Sequence, residues 1–161
     1  MGLYDLAAAL LDWAAATLGE SAPRRRNIQV GTAALDDEQI VVEIGTLDTA
    51  RRPDAQSPNP GLGLPFINML VTVARASPQM SDDGTAPSDE EINAYTALLL
   101  SDVWLLYNSV DRPDDGGLDA ILGPFQVKPR TVGIIVPYGD GGMLNGWQIP
   151  FIVQIDGFFP S

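Results

Sequence analysis

The 161-residue sequence has no cysteine and no histidine, and Lys128 is its one lysine beside eight arginines. Without cysteine there can be no disulfide, no thiolate nucleophile and no zinc–thiolate site. Without histidine the chain lacks the commonest general base and the commonest metal ligand, and no serine can be activated by an imidazole. Basic residues are few: nine, against 21 acids, for a formal net charge of −12. Affinity for nucleic acid comes mainly from cations that neutralise phosphates, so this balance argues against a nucleic-acid binder. Charged residues are 19% and hydrophobic residues 45%, a globular rather than a disordered composition. The length suits one domain spanning 1–161.

Long hydrophobic runs are also missing. Residues 3–18 (LYDLAAALLDWAAATL) are interrupted by Asp5 and Asp12, carry no preceding positive charge, and are too short to span a bilayer. The expectation is a protein made and used in the cytoplasm, or in a particle assembled there.

What is present is periodic. Leu3, Leu6, Leu10, Trp13 and Ala14 fall at helical spacing, predicting an amphipathic helix over 3–18 that stops at Gly19. A short extended piece, NIQVG, follows. Residues 38–48 predict a strand with Ile40, Val42 and Ile44 on a buried face and Gln39, Val41 and Glu43 on a mixed one, which suits an antiparallel sheet better than a parallel one. Residues 49–65, with four prolines and two glycines, read as a long loop. A second strand is expected at 66–77. Ser88 to Glu91 spell a capping box, opening a helix to about Val110. On it Ile92, Tyr95, Leu99, Val103, Leu106 and Val110 form one apolar row, and Ala97, Leu100, Trp104 and Tyr107 a second. Such a helix is apolar over more than one contact needs and should pack on two things. Strands at about 127–137 and 147–158 close the chain around a glycine-rich hairpin. The expected class is α+β: an antiparallel or mixed sheet of about four strands, with two helices on one face.

Little in this inventory carries reaction chemistry. Asp36, Asp37 and Glu38 are either paired carboxylates or the polar start of a strand, and the second reading needs no missing partner. The segments SDDG (81–84) and DRPDDGG (111–117) lack the alternating acid spacing of a calcium loop. The glycines of GLGLP (61–65) lack the context of a nucleotide loop. Arg24, Arg25 and Arg26 form the one basic cluster, readable as an interface clamp or as a solvated turn. No catalytic residue, metal site or cofactor is expected.

Four segments, in order, resemble the tail terminator proteins of long-tailed phages, especially those of actinobacteria. They are GTAALDDEQIVV (31–42), the strand ending in Val73-Ala-Arg75-Ala-Ser-Pro78, the helix from Pro87-Ser88 through Asp102-Val-Trp104, and a glycine hairpin leading to Trp147-Gln-Ile-Pro. Together they span about residues 1 to 158.

The resemblance implies a structural virion protein. It would form a six-fold ring on the head-proximal end of the tail tube, end tube polymerisation and join the head–tail stopper protein. Expected partners are further copies of the chain, the major tail tube protein and the stopper, with DNA only passing through an acidic lumen and no membrane contact. Candidate interface residues are Arg24, Arg25, Arg26, Arg51, Arg52, Leu100, Trp104 and Tyr107. Candidate lumen or rim acids are Asp36, Asp37 and Glu38, and candidate loop contacts are Gly61, Leu62, Gly63, Tyr138, Asp140 and Met143. The competing readings are another neck component (stopper or adaptor), a metal-dependent hydrolase built on the aspartate clusters, and a small binding module.

Overall fold

A computed structural model of the chain describes residues 2–48, 66–110, 127–132, 135–139 and 143–155. The order of elements is α1 (Leu3–Leu18), a single 3-10 turn (Gly19–Ser21), β1 (Arg25–Val30), β2 (Gln39–Asp48), β3 (Phe66–Ala76), α2 (Asp89–Val110), β4 (Val127–Val132), β5 (Val136–Gly139) and β6 (Leu144–Ile155). This is the expected α+β class. The sheet runs β1-β2-β3-β6-β4, with β5 also on β6. Strands β4 and β5 pair in series along one edge of β6, so six strands fill five positions. The single strand expected near 127–137 is therefore two pieces.

Local chemistry sets the start of both helices and the end of α1. The Asp5 carboxylate accepts the Gly2 N–H at 2.6 Å, at the end of α1 where the helix dipole favours a negative charge. Gly19 stops α1 at a φ of +63°, a left-handed conformation that costs glycine little. At α2, the Ser88 hydroxyl accepts the Glu91 N–H at 3.2 Å, and the Glu91 carboxylate accepts the Ser88 N–H at 2.7 Å.

One face of the sheet carries the core. Ile40 and Val42 of β2, Ile67, Met69, Val71 and Val73 of β3, and Ile149 and Phe151 of β6 pack on Leu6, Leu10, Trp13 and Leu18 of α1 and Leu106 of α2. Alternation puts these strand residues on one side, and the spacing of the leucines does the same for α1. Trp13 meets Phe151 edge to face, centroids 5.9 Å apart at 88°. Each of these buried side chains contributes roughly 1.5–3 kcal/mol of transfer free energy.

The parallel pairing of β1 with β2 is not what the alternation in 38–48 suggested. Parallel neighbours usually need a crossover of a dozen residues or more. Here β1 has six residues, about 20 Å, and eight extended residues, 31–38, suffice to return along it. Thr32, Ala33 and Leu35 border a cleft over Glu43, on the face away from the helices. That face of β2 was expected to be mixed, yet Gln39 and Val41 are fully buried, because the return segment runs over it.

Strands β3 and β6 approach closely at Gly146. A Cβ there would lie 1.7 Å from the Val73 carbonyl oxygen, with backbone on every near side. Gly146→Ala should cost upward of about 3 kcal/mol in urea unfolding, since the strands must part to admit it. At Gly139 a Cβ meets only the Asn145 side-chain oxygen, at 3.0 Å. That group can rotate away, so Gly139→Ala should change stability by less than about 1 kcal/mol. Equal, small losses at both positions would contradict the close approach of β3 to β6.

Candidate functional site

The long helix α2 is attached to the fold mainly by polar contacts. The Arg75 guanidinium on β3 donates two parallel bonds to Asp102, Nε to Oδ2 at 2.8 Å and Nη2 to Oδ1 at 2.9 Å. Both side chains are almost wholly buried. A third Arg75 donor, Nη1, reaches the Ser21 carbonyl oxygen at 2.6 Å, tying in the turn after α1. Such a fork matched to a carboxylate fixes orientation as well as distance.

Further bonds extend this seam along the helix. The Tyr95 hydroxyl donates to the Arg75 carbonyl at 3.4 Å, and Trp147 Nε1 to the Leu99 carbonyl at 2.8 Å. Trp13 Nε1 donates to Ser109 Oγ at 2.8 Å, and the Thr17 and Ser109 hydroxyls are bonded at 3.1 Å. Positions 95, 99, 102, 106 and 109 advance by 4, 3, 4 and 3, so all lie on one side of α2. Only Leu106 among them contributes a fully buried apolar side chain. Of the first apolar row, Tyr95, Leu99 and Leu106 lie on the seam, Val103 and Val110 are half-buried beside it and Ile92 is exposed, while Asp102 and Ser109 fill the remaining seam positions.

The second row faces outward. Leu100 is 58% exposed, Trp104 65% and Tyr107 60%, with Ala97 exposed in line. The Trp104 and Tyr107 rings stack, centroids 6.5 Å apart at 24°. From Ile92 to Val110 the one charged residue is Asp102, and it is buried. The outward side of α2 is therefore an uncharged aromatic and aliphatic stripe, a surface that normally marks a protein contact.

The three acids at 36–38 are occupied locally. Asp36 Oδ1 accepts Arg25 Nη1 at 2.5 Å, between two largely exposed side chains. Asp37 accepts the Glu38 N–H at 2.7 Å, and Glu38 accepts the Ala76 N–H at 3.2 Å. They do not converge on a common point, and they mark the start of β2. Asp83, in SDDG, is held well below the usual carboxylate range, at about 2, by the Ser81 hydroxyl and then by the side chain and N–H of Thr85. Its lone pairs serve its own turn. Among the described residues no three acids are placed to hold a metal ion.

The arginines at the start of β1 are separate from the stripe. Arg25 pairs with Asp36, Arg26 Nε reaches the Pro23 carbonyl at 3.4 Å, and Arg24 is exposed. No hydrogen bond or ion pair among the described residues joins them to α2. Met143 is exposed, with its carbonyl bonded by the Ser77 N–H at 2.9 Å. Tyr138 is half-buried at the cleft on the other face of the sheet. Arg51, Arg52, Gly61, Leu62, Gly63 and Asp140 lie outside the described residues, as does DRPDDGG.

Two features escaped sequence reasoning. One is the pairing of Arg75 with Asp102; the signal was a lone acid inside an otherwise apolar helix and a lone arginine ending an apolar strand. The other is Glu43, a charge in mid-strand that is only 8% exposed.

Removing one partner of the buried pair leaves an unpaired charge, so Asp102→Ala should cost about 3–5 kcal/mol in urea unfolding. Arg75→Met with Asp102→Leu should be more stable than either single variant, as read in a double-mutant cycle. Asp36→Asn should change stability by no more than about 0.5 kcal/mol, because its partner is exposed. A large loss there would mean that the acids at 36–38 do more than mark a strand. No protein-family model matches this chain, and no curated protein is similar to it.

Proposed function

We propose that this chain is a structural ring subunit of the tail terminator type, capping the head-proximal end of a phage tail tube and joining it to the head–tail stopper. One observation carries the reading: the exposed Leu100–Trp104–Tyr107 stripe on a helix whose opposite side is pinned to the sheet. An uncharged aromatic surface of this kind suits a permanent contact with another chain. Ring closure needs a heterologous interface, in which this stripe meets a different surface on the next copy.

Support also comes from the quoted segments themselves. Arg75 from the second is bonded to Asp102 from the third, and Trp147 from the fourth is bonded to the same helix at Leu99. These segments form one structural unit rather than scattered similarities. The net charge of −12 per chain suits a lumen through which DNA slides without sticking.

Electron microscopy of lysates from a phage lacking this gene tests the assignment. Unattached tails of uncontrolled length beside DNA-filled heads are expected. Tails of finished length beside emptied heads would move the protein to the stopper position. Intact particles would remove it from the neck and favour a binding module. Complementation with Trp104→Glu should fail to restore joined particles, while the purified variant keeps its fold by circular dichroism and loses ring formation in sedimentation velocity. Normal particles from that variant would mean that the stripe is not the interface.

A further inference from the structure

The sheet face away from the helices carries a cleft of about 460 Å³. This is within the range of small-ligand clefts, roughly 300–1,000 Å³. Its walls are Leu35 and Ala33 of the return segment, Leu70 of β3, Pro150 of β6 and Tyr138 of β5, and Glu43, Thr72 and Gln148 supply polar atoms. Strand register explains the grouping. Glu43 lies beside Leu70 and Leu70 beside Pro150, while the adjacent row holds Val41, Thr72 and Gln148.

Glu43 is more than nine-tenths buried. One carboxylate oxygen accepts the Ala33 N–H; the other has no hydrogen bond, and the side chain has no cation, among the described residues. Gln148 uses its amide nitrogen on Thr72 Oγ1, at 3.4 Å, and its amide oxygen receives no bond among the described residues. That second oxygen opens into the cleft rather than being sealed from solvent, so an incoming cation reaches a carboxylate whose other oxygen is already held. Asp102, which is fully buried, has both carboxylate oxygens paired with Arg75, whereas Glu43, at the cleft, has one.

We propose that this cleft is a docking site for an arginine side chain presented by a partner protein, with its guanidinium on the spare oxygens of Glu43 and Gln148. A guanidinium offers five donors, enough for a carboxylate and an amide together, and is hydrated weakly enough to lie between Leu35, Leu70 and Pro150. The Tyr138 ring at the rim is the aromatic neighbour such a cation favours. The protein's strongly negative charge draws cationic segments towards it. The site does not involve the α2 stripe, so it stands or falls independently of ring formation.

The test is an amide NMR titration of the full chain with Nα-acetyl-arginine amide, and with Nα-acetyl-citrulline amide as a near-isosteric neutral control. The arginine probe should shift Ala33, Gly45, Asn68 and Gln148 with a dissociation constant on the order of 1–10 mM. The citrulline probe should bind about fivefold more weakly. Glu43→Gln, which keeps an acceptor for the Ala33 N–H, should bring arginine down to the citrulline level. Gln148→Glu should tighten arginine severalfold, and it keeps the test decisive if the Glu43 variant does not fold. Equal binding of the two probes, or arginine shifts unchanged by either substitution, would overturn the proposal. So would binding that appears only after Arg51 and Arg52 are replaced by alanine, because the chain's own arginines would then be the occupants.

Discussion

The buried pair of Arg75 and Asp102 sets the position of α2, and through it the outer surface of the molecule. Two charges taken out of water are stable only when geometry and additional hydrogen bonds compensate for desolvation. Here each guanidinium nitrogen has a partner: the Asp102 carboxylate takes two donors and the Ser21 carbonyl a third. The three partners come from β3, α2 and the turn after α1. The pair therefore joins three elements at one point, which a hydrophobic contact of the same size could not do with the same directionality.

This arrangement inverts the usual logic of a surface helix. An amphipathic helix ordinarily turns its apolar side inward and its polar side to water. In α2 the inward seam is Tyr95, the Leu99 carbonyl, Asp102, Leu106 and Ser109, while Leu100, Trp104 and Tyr107 face out. Directional bonds hold the helix where little apolar area does so. Its exposed stripe is consequently presented in a fixed orientation, because the seam has few alternative registers. A shift of one residue along α2 would remove Asp102 from Arg75 and Ser109 from Trp13 together.

Local periodicity made both helices and the long strands legible, and Gly19 and Ser88–Glu91 marked their ends because capping is a short-range interaction. The two-row character of α2 was also legible, as a surplus of apolar positions. So was the outward row, since Leu100, Trp104 and Tyr107 were the interface candidates on it. What fixes the first row against the sheet was not, because that is one buried carboxylate whose partner lies 27 positions earlier in the chain. The parallel β1–β2 pairing was equally hidden, since alternation within 38–48 does not fix the direction of a neighbour. Its consequence, the covering of Gln39, Val41 and Glu43 by residues 31–38, followed the same non-local path. The acids at 36–38 were read correctly as the start of a strand because turn chemistry needs no distant partner. Of the candidate site residues, the stripe was readable from spacing, and Glu43 was not, because a mid-strand glutamate on an expected mixed face looks solvated.

The molecule thus has two incompletely satisfied surfaces on opposite sides of one sheet. The α2 stripe lacks charge and has apolar area to bury; the cleft has a carboxylate without a cation among the described residues. They are not complementary to each other: packing Trp104 against Glu43 would bury the carboxylate further without a donor for its spare oxygen. One copy's stripe therefore cannot fill the next copy's cleft at no cost, and the two surfaces cannot be the halves of a single repeating contact. In the ring reading, the stripe must close on some other part of the neighbouring subunit, which leaves the cleft to a different partner. That division is what a subunit joining two unlike assemblies requires, since a surface consumed in ring closure is not available for the tube or the stopper.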